Sequence, residues 1–455
     1  LSPKVVPQSL VPQRFWRSES FSWKTWCLMH QFPHVEYSTA KVYNFSEYIG
    51  EKMNILIVSQ HYYPEQFRIN DISFELAKRG HKVTVLTGLP NYPEGKIYDG
   101  YQNKQNRNQT VNGVHIIRTS LIGRGKSLLT FGLNYAWFAI AGKQKAKTLH
   151  EDFDVIFSYQ TSPVSMVWPA IEVKKRKNIP LVLYCLDQWP ISITTGPFSK
   201  GTLAYSFFWR LSVDTYNKAD RILITSKSFE NYFNKELKLS TEKYGLDYWP
   251  QYAEDIYQNT IKNINGTYDV LYAGNIGPAA DVEVIVKAAE YLKEHKNIHF
   301  HIVGDGVNRQ NCEQMAINAG LDNITFYGSH KVDEMKQYYD LADAFLITMK
   351  DNEVVNYTLP AKMQSYMLAG KTIIGAINGE TKRVIQDADC GYCGPSGDAH
   401  RLAENILKAS EDEQDTYGRG RNASTYYHSH FDKEKLLDEL EKIFQEEIDR
   451  KKIGK

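Results

Sequence analysis

Cysteine is scarce. Cys27, Cys185, Cys312, Cys390 and Cys393 are the five in 455 residues, an odd number that argues for a reducing compartment and against a disulfide framework. Cys390 and Cys393 form a lone CxxC with no second cysteine or histidine pair at zinc spacing, so small core residues beside a glycine turn are expected there, not a metal or redox centre. A surplus of charge is equally absent. Lys plus Arg total 54 and Asp plus Glu 53, and nothing in that balance recommends nucleic acid as a partner. Long apolar runs are missing too. The stretch 128–141 is too short to span a bilayer, and residues 1–52 lack the basic start and apolar run of a signal peptide.

What is present is length enough for two domains of roughly 150 to 200 residues each. Residues 1–52 carry Trp16, Trp23 and Trp26 without helical or strand periodicity, whereas Met53 opens an apolar strand and a loop, MNILIVSQHYYPE. Met53 is therefore read as the natural start, and 1–52 as a non-core extension, disordered or mistranslated. From there strands and amphipathic helices alternate: 55–58, 82–87, 114–118, 155–158, 181–185 and 221–225 read as strands, with a helix at 69–79 closed by Gly80. That alternation predicts a parallel, doubly wound sheet over 53–241. A second series starts at DVLYAGNIG, with strands at 299–303, 324–327, 344–348 and 371–375. It predicts a second such domain over 267–431, after a linker at 242–266 and before a charged helix in 432–455 that is either solvated or crosses back to the first domain. Ligands of open parallel sheets bind beyond the carboxyl ends of the strands, so the shared site is expected in a cleft between the domains.

The most informative segment is LPAKMQSYMLAGKTIIGA, Leu359 to Ala376. Pro360 and Lys362 precede a short helix that stops at Gly370, and a buried strand follows. A lysine and free N–H groups thus converge where an anion, such as a nucleotide phosphate, can bind. Gly274 and Gly277, in the first turn of the second domain, are placed to let a diphosphate approach a helix start. The Gly304 to Gly306 turn lacks the full GxGxxG and the following acidic residue, which disfavours a nicotinamide enzyme.

MNILIVSQHYYPE, PNYPEGKIYDGY, YAGNIG, IVGDG, ITFYGSH and LPAKMQSYMLAGKTIIGA, in this order, resemble the bacterial family 4 glycosyltransferases of the branch that builds capsule, O-antigen and exopolysaccharide. The resemblance covers Met53 to about Phe431. It implies the GT-B fold, two Rossmann-like domains facing across a cleft with acceptor on the first and nucleotide-sugar on the second. It further implies sugar transfer with retention from a nucleotide diphosphate sugar, a UDP-sugar, to a polyprenyl-diphosphate-linked glycan, without a bound metal or cofactor.

The expected donor-binding residues are Gly274, Asn275, Gly277, Gly304, Gly328, Pro360, Lys362 and Ser365, with residues 356–361 on the donor and 327–330 near the base. Glu65, Asp187 and Lys362 are the catalytic candidates. Glu65 would orient or deprotonate an acceptor hydroxyl, unless it merely pairs with Arg68. Tyr62, Tyr63, Arg68 and Trp189 would contact the acceptor, Trp189 by stacking on a sugar beside Asp187. One departure stands out. The wider family carries two glutamates flanking the Pro-x-Lys segment, and here Tyr357 and Ser365 occupy those positions. Serine cannot make the bidentate ribose contact of a carboxylate, which leaves a non-catalytic GT-B-like subunit binding glycan or a partner as an alternative, with a nucleotide-sugar epimerase a weaker one. The family's cleft histidine is also absent, and neither His61 nor His81 is a convincing replacement. Finally, Phe131, Tyr135, Trp137 and Phe138, flanked by Arg118, Arg124, Lys126, Lys143, Lys145 and Lys147, suit either a core helix or one lying on an anionic membrane, peripheral on its cytoplasmic face.

Overall fold

In the computed structural model, residues 51–455 are described except 103, 124–127, 240–244, 259, 261–265 and 455, together with the side chains of Leu128, Leu129 and Phe131. The proposed extension up to residue 50, Arg124, Lys126, the Phe131 ring and much of the 242–266 segment lie outside the described residues.

The first sheet contains β1 (Asn54–Val58), β2 (Lys82–Thr87), β3 (Asn108–Val111), β4 (Val114–Arg118), β5 (Val155–Gln160), β6 (Leu181–Cys185), β7 (Arg221–Ile224) and β8 (Leu246–Tyr248). Their order is β3-β4-β2-β1-β5-β6-β7-β8. All pairs are parallel except β3 with β4. Strands covered on both faces need apolar residues throughout, which is why VIFSYQ and LVLYC are buried from end to end. The helices α1 (Arg68–Lys78), α2 (Leu128–Ala146), α3 (Trp168–Lys177) and α4 (Leu203–Tyr216) surround this sheet. Part of the segment expected to be a linker is β8, hydrogen-bonded to β7. Trp249, just beyond it, is fully buried in the first core.

The second sheet contains β9 (Tyr268–Ala273), β10 (Ile298–Val303), β11 (Ile324–Gly328), β12 (Ala344–Thr348), β13 (Thr372–Ala376) and β14 (Gly391–Gly394) in the order β11-β10-β9-β12-β13-β14. Every pair is parallel. The last helix, Lys433–Ile453, returns to the first domain. Leu436, Leu437, Leu440, Ile443, Phe444 and Ile448 recur at helical spacing and pack with Ile55, Ile57 and Phe157. Its charged face also binds there: Glu441 meets His81 at 2.8 Å and Glu434 and Asp438 meet Arg79 at 2.5 and 2.6 Å.

The carboxyl ends of the two sheets meet. Ser226, after β7, donates to the carbonyl of Tyr357, which lies beyond β12. Ser228 contacts Glu380, beyond β13, and Lys200 pairs with Glu353 at 2.7 Å. No helix among the described residues is long and apolar enough to cross a membrane.

Candidate active site

The Pro-x-Lys segment forms the helix Lys362–Ala369, and Gly370 closes it in the left-handed region at φ 71°. Its first residue points its ammonium at the turn after β9. Lys362 Nζ lies 3.8 Å from the Tyr272 ring centroid, and a Cβ on Gly274 would stand 2.6 Å from it. The missing side chain of Gly274 is thus the space the lysine occupies. One helical turn on, the Tyr366 hydroxyl accepts from Ala273 N–H at 2.9 Å and donates to the Ala273 carbonyl at 3.2 Å, so one helix face holds the whole turn. No hydrogen bond or carboxylate engages the Lys362 ammonium among the described residues, and burial pushes its pKa down to about 7. A half-buried cation without a carboxylate partner among the described residues is the main electrostatic feature of this turn.

The glycines divide by role. Gly304 and Gly306 let the second turn touch the first: a Cβ on Gly304 would be 1.8 Å from the Gly274 carbonyl oxygen, and one on Gly306 2.4 Å from that of Ile276. The Gly304 N–H donates to the Gly328 carbonyl at 2.8 Å. Both Gly304 and Gly328 therefore serve loop packing, which is reason enough for glycine. Gly277 is not at a helix start. The next helix begins at Val282 after Pro278 and a left-handed Asp281, so its free N–H groups lie beyond the glycine turn. Asn275 is exposed and Pro360 half-buried at this edge. Ser365, expected near ribose, is 6% exposed and shares a hydrogen bond with Tyr339. Tyr357 turns its ring to Tyr232 of the first domain at 6.0 Å, and Glu353 is taken by Lys200.

In the first domain several expectations need correction. Tyr62 is 2% exposed, its hydroxyl 2.6 Å from Ser73, and it is a core residue rather than an acceptor contact. Tyr63 is half-buried, with its ring near Phe74. Arg68 pairs with Glu254 at 2.7 Å and lies over Tyr252, which removes it from both the acceptor and Glu65. Glu65 is 2% exposed. Its Oε1 accepts from the N–H groups of Asn91 and Tyr92 at 2.6 and 2.7 Å, and its Oε2 faces His61 Nδ1 at 2.9 Å. A carboxylate so occupied cannot itself reach an acceptor hydroxyl. Trp189, 7% exposed, packs edge-on against Phe208 and cannot offer a ring face to a sugar. Its indole N–H donates instead to Ser162 at 2.9 Å, and Ser162 donates to Asp187 at 2.7 Å. Asp187 remains half-buried, with burial raising its pKa. His81, accepting from the Met53 N–H and facing Glu441, is a pin between the start of β1 and the last helix.

Sequence reasoning missed Tyr272, whose only signal was an aromatic two residues before the glycine turn. It also missed Arg309, which approaches the open side of Gly328 and pairs with Glu313 at 2.7 Å. The partnership of His61 with Glu65 had the signal of an i, i+4 spacing but no helix to justify using it.

Two parallel-sheet α/β domains with apposed carboxyl ends, one carrying a lysine over its first glycine turn, define a GT-B transferase. The description "Glycosyltransferase Family 4" matches residues 67–244 and "Glycosyl transferases group 1" matches residues 255–426. The chain belongs to the family 4 glycosyltransferases. It is 21% identical over 344 residues to WcaI of Escherichia coli K12, named for colanic acid biosynthesis, covering 70% of this chain and 82% of WcaI. Among solved structures, sucrose-phosphate synthase of Thermosynechococcus elongatus superposes with a TM-score of 0.68 at 15% identity, covering 87% of this chain and 99% of that one. HepE of Anabaena in complex with UDP-glucose gives 0.62 at 16% identity, covering 87% and 100%.

Proposed function

We propose that this chain transfers a hexosyl or N-acetylhexosaminyl group from a UDP-sugar to a polyprenyl-diphosphate-linked glycan during the building of a bacterial surface polysaccharide, with retention at the anomeric carbon. The observation that carries the reading is the half-buried Lys362 ammonium beside Gly274, with no carboxylate partner among the described residues. When the bond from the anomeric carbon to the diphosphate oxygen breaks, negative charge grows on the leaving group. A fixed cation there stabilises the transition state more than the ground state. The nucleotide-sugar is the co-substrate, and the reading calls for neither a further cofactor nor a metal. HepE, solved with UDP-glucose, and WcaI, named for colanic acid, support the donor and the pathway class. Asp187, steadied by Ser162, is the group we assign to holding the acceptor sugar.

A lipid-linked acceptor places the enzyme at the cytoplasmic face of the membrane. In support, α2 exposes Leu133, Trp137 and Ile140, with the exposed Lys143 and Lys147 beyond them. The helix α4, which packs on the same turn Val164–Val167 as α2, exposes Leu203, Phe207 and Arg210. Exposed apolar residues followed by lysines on α2 suit an anionic bilayer surface.

Calorimetry with UDP, followed by product analysis with UDP-glucose, UDP-galactose and UDP-N-acetylglucosamine on a prenyl-diphosphate-linked acceptor, tests the proposal. Turnover with an α-linked product is expected, and absence of UDP binding would sink it. Neither Tyr357 nor Ser365 presents a polar side chain to the donor turn, which favours the non-catalytic subunit as the second reading. UDP binding with no transfer to any acceptor would select it.

A further inference from the structure

We propose that Tyr272 is a positioning residue of the donor site: its ring face seats the Lys362 ammonium at the carboxyl end of β9 while offering the diphosphate no competing charge, an inference that rests on the glycosyl-transfer reading above. The lysine and the tyrosine belong to opposite faces of the second sheet. Tyr272 packs with Val270, Ile285 and Cys312 on one face, whereas the helix Lys362–Ala369 packs through Met363 and Tyr366 with Leu271 and Ala273 on the other. Successive residues of a strand point to opposite sides, which is why the two clusters divide β9 between them. Lys362 therefore reaches over the end of β9 to set its Nζ 3.8 Å from the Tyr272 ring centroid. Gly274 leaves the passage, since a Cβ there would lie 2.6 Å from Nζ and 3.9 Å from the Tyr272 hydroxyl.

The seat is rigid. Tyr272 is fully buried on a central strand, in register with Ile302 of β10. Its hydroxyl donates to the Asn275 carbonyl at 2.9 Å, and burial pushes its pKa up, which keeps that hydrogen in place. On the near side of the glycine, the Tyr366 hydroxyl bonds both the N–H and the carbonyl of Ala273. Two tyrosine hydroxyls thus clamp the turn on either side of Gly274, one from each face of the sheet.

A ring suits this place better than a carboxylate would. A carboxylate would hold the ammonium by a charge-assisted hydrogen bond and repel an incoming diphosphate. The face of an aromatic ring attracts the ammonium weakly and carries no net charge, so an anion can take the cation over. The lysine chain is also ordered in the empty protein, and its freedom is not lost again when the diphosphate binds. As the bond to the anomeric carbon breaks, the same seated cation faces the charge growing on the leaving group.

Changes to this one ring in the full chain test the proposal. Tyr272→Phe keeps the ring face and drops the bond to Asn275. The same variant carrying pentafluorophenylalanine at that position nearly keeps the shape and reverses the charge pattern of the face, whereas Tyr272→Leu removes the face altogether. By calorimetry, Tyr272→Phe is expected to bind UDP within about 3-fold of the parent, and the fluorinated ring and Tyr272→Leu about 10-fold more weakly. Repeated in Lys362→Ala, neither of the last two changes should weaken UDP binding further, because a residue that acts through the lysine has no effect once the lysine is gone. Parent-like or tighter binding by the fluorinated variant overturns the proposal, as do losses that recur in full without the lysine, which would mark a structural role. If Tyr272→Leu does not fold, the fluorinated ring decides alone. A parent protein that does not bind UDP sinks the earlier reading and this inference with it, whereas a parent that binds UDP no better than the fluorinated variant sinks this inference only.

Discussion

Lys362 Nζ stands 3.8 Å from the centre of the Tyr272 ring, with no carboxylate beside it among the described residues. The ring face offers the ammonium a weak partner, and burial pushes its pKa down to about 7. Below that pH the cation is present in the empty protein. Above it the neutral amine predominates until a diphosphate arrives and draws a proton in. UDP binding is therefore expected to take up protons above pH 7 and to weaken as pH rises towards 9. Calorimetry in buffers of different ionisation enthalpy measures the uptake directly. Lys362→Ala should bind UDP about 10- to 100-fold more weakly, the worth of a charge-assisted hydrogen bond, and lose the pH dependence. Unchanged affinity would remove Lys362 from the site.

Gly274 is constrained twice, by a φ of 148° and by the 2.6 Å between its absent Cβ and Lys362 Nζ. Gly274→Ala should displace the lysine and strain the turn, so UDP affinity is expected to fall as far as in Lys362→Ala. A crystal soak or fluorescence titration with UDP reads the effect. An alanine variant that binds UDP normally would show that the ammonium is free to move.

The interior of both sheets was legible because strands covered on two faces must be apolar at every position, as LVLYC and TIIGA are. Three of the four edge strands were not, β11 being the exception. NQTV of β3 is polar and half-exposed, LDY of β8 spans three residues, and GYCG of β14 has two glycines. In the candidate site the lysine, the left-handed Gly370 and the strand after it could be read locally, since a helix cap and a helix start are short-range features. Glu65, Tyr62 and Trp189 could not. Which loop side chain faces the cleft was decided by distant partners, namely the Asn91 and Tyr92 amides, Ser73 and Phe208. The return of the last helix was likewise undecidable from its charge, because a charged helix is compatible both with solvation and with packing on the first domain.

Leu133, Trp137 and Ile140 recur on one face of α2, and all three are exposed. If that face lies on lipid, Trp137→Glu and Leu133→Glu should abolish co-sedimentation with vesicles of phosphatidylglycerol and phosphatidylethanolamine while leaving UDP affinity intact. Raising salt should weaken the parent's binding as well, since Lys143 and Lys147 would contact anionic headgroups. Equal sedimentation of parent and variants would argue for a surface that faces water.

Leu440 is fully buried between the last helix and the first sheet, in the cluster that holds Ile55, Phe157 and Phe444. The helix is also pinned by the Trp249 indole, which donates to the Leu436 carbonyl at 2.8 Å. Removing three carbons from such a position leaves a cavity that the flanking sheet cannot close. Leu440→Ala is expected to cost about 2 to 5 kcal/mol. Because the helix covers the first domain only, urea unfolding should separate into two transitions, with the first domain melting early and the second unmoved. UDP bound to the second domain would then shift the later transition and not the earlier one. A single transition displaced as a whole would mean that the two domains unfold together, with the last helix coupling them.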